Sequence, residues 1–279
     1  MIFIILFLIC IILTIHFFYF LKRTSHEQST ALALPEKSLS EHLETYAQYK
    51  PHPSTIPKVV YLTYHDLKKI PKYVISNLQK YCHGFDIRIF DDAQCIAFLK
   101  QYFGQEAVSI FNKMKVSAHK ADFWRYCILY VFGGYYFDIK TDFTAHLSEI
   151  FDSTKKNTWY TVLSKISGTI YNGIIATPPR NPILYQCIKH VFQNKNPDDY
   201  LLFVTYLYFC LKNSVEGPLK IGNNPQKNGW NCILFQETCL ACNETKCNRK
   251  PDRYNYNCSI QNENKKLLFY TRYPDFPWV

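Results

Sequence analysis

The stretch KADFWRYCILYVFGGYYFDIKTDF, residues 120–143, decides the architecture of this chain. From Phe123 to Phe132 nearly every position is apolar, which reads as a helix buried on most sides. Asp122 and Arg125 interrupt that run three residues apart, so they share one helical face with Ala118 and Leu129. A lone buried charge is costly, so each needs a partner. Either they pair with each other, or their face lines a polar cleft where Arg125 meets phosphate and Asp122 holds a sugar or ribose hydroxyl. Gly133 and Gly134 end the helix, and a strand follows. A period of two places Tyr136, Asp138, Lys140 and Asp142 on one side, with Tyr135, Phe137 and Ile139 on the other. Following a buried helix, this strand is expected to be internal, with its charges facing a site rather than bulk water.

Upstream, IPKVVYLTY (56–64) reads as a buried strand and IPKYVISNLQKYC (70–82) as a helix opened by proline. FDIRIFDD (85–92) alternates as a strand, and DDAQCIAFLKQYF as a helix capped by Asp91 or Asp92. A longer helix is expected over about 107–132. Strand, helix, strand, helix, helix, strand is an α/β pattern with a mainly parallel sheet, in which ligands bind beyond the C-terminal ends of the strands.

The 279 residues suit one globular domain with an accessory segment. A net charge of +10 admits nucleic acid, anionic membrane or phosphate-bearing small molecules. The lysines are scattered with no run of five, which argues against nucleic acid. MIFIILFLICIILTIHFFYFL (1–21) is long enough to cross a bilayer and reads as an uncleaved anchor. Residues 22–55, with prolines at 35, 51 and 53, read as a stem.

Two cues disagree on the side of the membrane. Lys22 and Arg23 after the span place the body in the cytoplasm. Cys210, Cys232, Cys239, Cys242, Cys247 and Cys258, with glycosylation triplets at Asn243 and Asn257, favour an oxidising lumen. The cysteines read more plainly as disulfides than as a zinc site. The expectation is therefore a single-pass, type II membrane protein with its body in the secretory (Golgi or ER) lumen.

The central stretch resembles the core of the glycosyltransferases with a DxD sugar-binding region, the capsular-polysaccharide and initiating α-1,6-mannosyltransferase-like group (glycosyltransferase family 32). IPKVVYLTYHDLKKIP resembles that family's opening and FDIRIFDD its next strand. YNGIIATPPRNPI (171–183) resembles its Asn-Gly acceptor-side loop, and EGP (216–218) echoes a Thr-Gly-Pro motif. The likeness covers about 56–220, with 221–279 as a cysteine-rich part of the same domain. It implies a GT-A type nucleotide-diphospho-sugar transferase fold, a single Rossmann-like mixed sheet flanked by helices. The implied reaction moves a sugar from a UDP- or GDP-sugar to a glycan or other hydroxyl acceptor, with retention of configuration and usually Mn²⁺ or Mg²⁺. Carried over by position, Asp122, Arg125, Tyr136, Asn172 and Gly173 bind the donor, Asp138 is the first acid of DxD, and the second acid falls on Lys140.

That lysine leaves three arrangements open. In the first, a metal sits on Asp138 with Asp142 or a downstream acid or amide. In the second, Lys140 itself neutralises the donor diphosphate. In the third, Lys140 pairs with Asp138, leaving a catalytically inactive, anchored protein that binds sugar nucleotide or carbohydrate. A nuclease or phosphotransferase is disfavoured because the chain has no P-loop and no tight third carboxylate. His65 and His119 read as satisfied or cleft-rim histidines rather than metal ligands.

Overall fold

The computed structural model describes residues 52–194, 200–239 and 258–271. The anchor, nearly all of the stem, Cys242, Cys247, the acceptor asparagines Asn243 and Asn257 and the closing RYPDFPWV lie outside the described residues. Among the described residues no helix is long and apolar enough to cross a membrane.

The chain opens with β1 (Val59–Thr63), α1 (Lys72–Tyr81), β2 (Asp86–Phe90) and α2 (Asp92–Lys113). Asp91 caps α2 in a full capping box: its carboxylate accepts from Gln94 N at 2.8 Å, and the Gln94 side chain accepts from Asp91 N. Next come α3 (Ser117–Phe132), β3 (Gly134–Phe137), β4 (Thr141–Phe143) and the short α4 (Leu147–Ile150). The single helix expected over 107–132 is in fact two, broken at Met114–Val116, where the backbone turns extended. The second half holds β5 (Thr158–Leu163), β6 (Ile170–Thr177), α5 (Pro182–Gln193), α6 (Tyr200–Ser214), β7 (Gly222–Pro225), β8 (Asn231–Cys239), β9 (Cys258–Gln261) and β10 (Leu267–Thr271).

The described strands form one sheet in the order β2-β1-β3-β6-β5-β8-β9-β10-β4, with β7 on β8. It is mixed rather than mainly parallel. β1 runs parallel to β2 and β3, and β5 to β8, while β3–β6, β5–β6 and every pairing from β8 out to β4 are antiparallel. Helices flank this mixed sheet, the arrangement expected of a GT-A fold.

The internal position of β3 follows from its sequence, since all four of its residues are buried. Tyr135 and Phe137 join the core between the sheet and α1 and α4, with Leu78, Leu147, Phe151 and Phe269. Tyr136 points the other way, where α3 packs against the sheet alongside α5 and α6. The Gly133–Gly134 pair makes the passage from α3 to β3 possible. Both carry positive φ, and a Cβ at either would press into backbone of Pro179 or Val59.

The single alternating strand expected through residue 142 does not form. Asp138–Lys140 is a turn closed by Thr141 N donating to Asp138 O at 2.9 Å, and β4 then leaves to pair with β10. Asp138, Lys140 and Asp142 therefore do not share one strand face. The Asn-Gly segment is also different from its expected loop: Asn172 and Gly173 lie inside β6, the antiparallel neighbour of β3.

Among the described cysteines, Cys210 and Cys232 are buried free thiols, where disulfides were expected. No described group of acids, histidines and cysteines has the makings of a metal cage.

Candidate functional site

α3 sets the floor of the site because its polar residues cannot escape the core. Everything from Asp122 to Val131 is buried, so the Arg125 guanidinium must find its partners inside the protein. It finds them on three elements. Its NH2 lies 3.1 Å from Asp122 Oδ1 and 3.0 Å from Asp138 Oδ1. Its NH1 donates to Asn172 Oδ1 at 3.0 Å, and its Nε to Ala121 O at 3.1 Å. The planar group stacks over the Tyr136 ring at 4.4 Å.

A second layer fixes these partners. Asn172 Nδ2 donates to Asp122 Oδ1 at 3.1 Å and to the Tyr126 hydroxyl at 3.0 Å, and that hydroxyl donates to Phe203 O on α6. The Tyr136 hydroxyl donates to Asp138 Oδ1 at 3.2 Å and lies 3.3 Å from Thr63 Oγ1, at the end of β1. The Tyr171 hydroxyl reaches Asp138 Oδ2 at 3.4 Å. Gly173 is required by this packing, since a Cβ there would overlap both Asp138 Oδ2 and the Tyr171 ring. The backbone adds a further tie, Asp138 N donating to Gly173 O at 2.8 Å.

Burial pushes the Asp122 carboxyl up to about 6, against the lowering pull of Arg125 and the Asn172 bond. Burial also works against the charge on Arg125, but Asp138, Tyr136 and Asp122 outweigh it and hold the guanidinium firmly protonated. Burial raises both Tyr136 and Tyr126, so both hydroxyls stay protonated donors. Asp122 Oδ2 is buried with no hydrogen-bond partner, an acceptor left open by the fold. Asp138 is the exception to enclosure: 35% of its side chain is exposed.

The ion-pair reading of Asp122 and Arg125 holds, and Arg125 also bridges to Asp138, which reaches solvent. Arg125 supplies a cation to Asp138 at 3.0 Å. Asp122, Arg125, Tyr136, Asp138, Asn172 and Gly173 converge. Lys140 lies half-buried in the turn just after Asp138. Asp142 pairs with Tyr270 across β4 and β10 and lines a separate groove of about 570 Å³ with Tyr73, Asn77 and Lys80. As a seat for a hard cation the cluster offers the Asp138 carboxylate, enough for an ion that takes one or two carboxylates and completes its shell with phosphate oxygens and water. His119 is buried against Phe203.

Sequence reasoning missed Thr63, Tyr126 and Tyr171. Tyr126 had a signal, since a tyrosine in an apolar helix must find a partner for its hydroxyl. Thr63 had one in its place at the C-terminal end of a parallel strand. Tyr171 had none.

Residues 64–159 match the family described as "Glycosyltransferase sugar-binding region containing DXD motif". That span contains Asp122, Arg125, Tyr136 and Asp138, while Asn172 and Gly173 fall beyond it. The chain is 31% identical over 121 residues to an uncharacterized glycosyltransferase of Acanthamoeba polyphaga mimivirus, over 43% of this chain and 48% of that protein. It is 31% identical over 114 residues to the initiation-specific alpha-1,6-mannosyltransferase of Schizosaccharomyces pombe, over 38% of this chain and 28% of that one. The chain thus spans about half the length of the first relative and under a third of the second. The solved PaToxG glycosyltransferase aligns with a TM-score of 0.42 and 16% identity, over 62% of this chain and 74% of that one.

Proposed function

We propose that this chain, similar over residues 64–159 to the sugar-binding region of DXD glycosyltransferases, transfers a sugar from a UDP- or GDP-sugar to a hydroxyl of a glycan or glycoconjugate, with retention of configuration. The observation that carries the proposal is the convergence of Asp122, Arg125, Asn172 and Asp138 beside the C-terminal end of β3, with Asp138 alone reaching solvent. An enclosed ion network costs stability unless it is fully paired. Here it holds the partly exposed Asp138 carboxylate in a fixed orientation.

In this reading Asp138 meets the donor, and Arg125, itself paired with the enclosed Asp122, fixes the Asp138 carboxylate in place. Asp138 would hold Mn²⁺ or Mg²⁺ together with the donor diphosphate, and the ion supplies Lewis-acid stabilisation of the leaving group. Lys140, in the adjoining turn, adds a fixed positive charge toward the same diphosphate. Asp142, across the turn and facing another groove, is a less apt ligand than Asp138. The chain acts from a membrane through residues 1–21, with the body in the secretory lumen.

A donor screen over UDP- and GDP-sugars with the soluble body, with and without Mn²⁺ and with EDTA, tests the proposal. Turnover that disappears in Asp138→Asn supports it, and turnover that persists in that variant removes Asp138 from the site. Sugar-nucleotide binding without transfer or hydrolysis would favour a second reading, an inactive binding protein. The capture of Asp138 by Arg125 at 3.0 Å gives that reading its own physical basis.

A further inference from the structure

α1 carries two faces. Val74 and Leu78, four residues apart, are buried in the core. Tyr73, Asn77 and Lys80, spaced by four and three, fall on another side, where they line the groove of about 570 Å³ shared with β4 and β10. Asn77 sets the width of that groove. Its amide donates to Phe143 O at 3.3 Å and its carbonyl accepts from Phe143 N at 3.0 Å, so helix and strand are held at a fixed separation. Asp142 and Tyr270 stand directly opposite each other on β4 and β10, which puts their side chains on one side of the sheet. Tyr81 lines the groove as well, with Lys80 Nζ 4.7 Å from the centroid of its ring.

The chemistry of the lining narrows the occupant. The volume falls within the range of small-molecule sites, about 300–1,000 Å³. Tyr73, Tyr81 and Tyr270 each bring an apolar ring with a polar tip, and Tyr73 is 37% exposed at the rim. Asp142 is only 8% exposed, and a carboxylate accepts up to about four hydrogen bonds. Aromatic rings around a nearly enclosed acceptor suit a molecule with apolar C–H faces and a hydroxyl edge, which is a sugar. The same carboxylate disfavours a phosphate or any other anion beside it, and the one lysine of the lining sits against the Tyr81 ring.

We propose that this groove binds an uncharged oligosaccharide, with its hydroxyls on Asp142 and its C–H faces on the tyrosines. Resting on the transfer reading above, that oligosaccharide is the acceptor glycan, held apart from the donor network. The two sites are joined by one turn of backbone: Thr141, at the start of β4, donates its N–H to Asp138 O, and Asp142 follows it.

The test uses the full chain in a detergent without a sugar headgroup and without sugar nucleotide. Saturation-transfer NMR reads the binding of maltotetraose, cellotetraose and mannotetraose, each alone, and of a sulfated heparin tetrasaccharide as the anionic counter-probe. The expected result is binding of at least one neutral tetrasaccharide, tighter than the sulfated one. Tyr73→Ala should weaken that binding about threefold or more, and Asp142→Asn about tenfold or more. The proposal is overturned if no neutral tetrasaccharide binds, if the sulfated one binds more tightly, or if a folded variant of either kind binds as wild type does. Tyr73 stands at the surface, so its variant keeps the test decisive if Asp142→Asn does not fold. Because no donor is present, loss of glycan binding leaves the donor reading at Asp138 standing. Failure of donor turnover, in turn, leaves a glycan-binding groove on an inactive protein.

Discussion

Replacing Arg125 with methionine keeps an unbranched stem in the core and removes only the guanidinium. The loss is large: the contacts to Asp122 and Asp138 at 3.1 and 3.0 Å, the bonds to Asn172 and Ala121, and the stack on Tyr136. Removing one partner of a buried ion pair costs about 3–5 kcal/mol. Asp138 is 35% exposed, so water screens its share, and the expected loss lies near the low end, about 3 kcal/mol at neutral pH. Its pH dependence carries a definite sign. Asp122 sits at about 6 in the folded chain against an ordinary 3.8, so the folded state binds the proton more tightly. Such a group makes stability fall as pH rises between those two values. Without Arg125 to lower it, the folded value climbs and the window extends upward. Urea unfolding of wild type and Arg125→Met should therefore show a smaller difference at about pH 5 than at about pH 7.5. A difference below about 1 kcal/mol at neutral pH, or one identical at both pH values, would refute the claim that Arg125 compensates an enclosed Asp122.

Gly173→Ala places a methyl group against Asp138 Oδ2 and the Tyr171 ring, so it should lower stability by about 1–3 kcal/mol and weaken donor binding, read by denaturation and calorimetry. Asn77→Ala removes an amide that bonds both the N–H and the C=O of Phe143, tying α1 to β4; about 1–3 kcal/mol should be lost in urea unfolding. Asp91→Ala opens the capping box of α2 and should cost about 1 kcal/mol, with donor turnover unchanged because α2 carries no residue of the site.

Much of the site lies in one short stretch, and for that reason it was legible. Asp122, Arg125, Tyr136 and Asp138 fall on a buried helix and the strand that follows it through a two-glycine turn, so local geometry alone brings them near one another. The order of the first five elements, the burial of α3 and the internal place of β3 follow from apolar patterning, which is a property of neighbouring residues. Strand direction is not such a property. Alternation reads the same in parallel and antiparallel strands, so the mixed sheet was decided by which distant strands pair: β6 beside β3, and β4 beside β10 more than 120 residues later. The alternation through Asp142 failed for the same reason. β4 has a partner on the far side of the sheet, and the chain must turn at Asp138–Lys140 to reach it. Sequence could say that Arg125 needed a counter-charge, because burial demands one. Only the tertiary structure could choose Asp138 to share it with Asp122, bring Asn172 and Tyr171 from β6 to hold that choice, and leave Lys140 in the turn beside it.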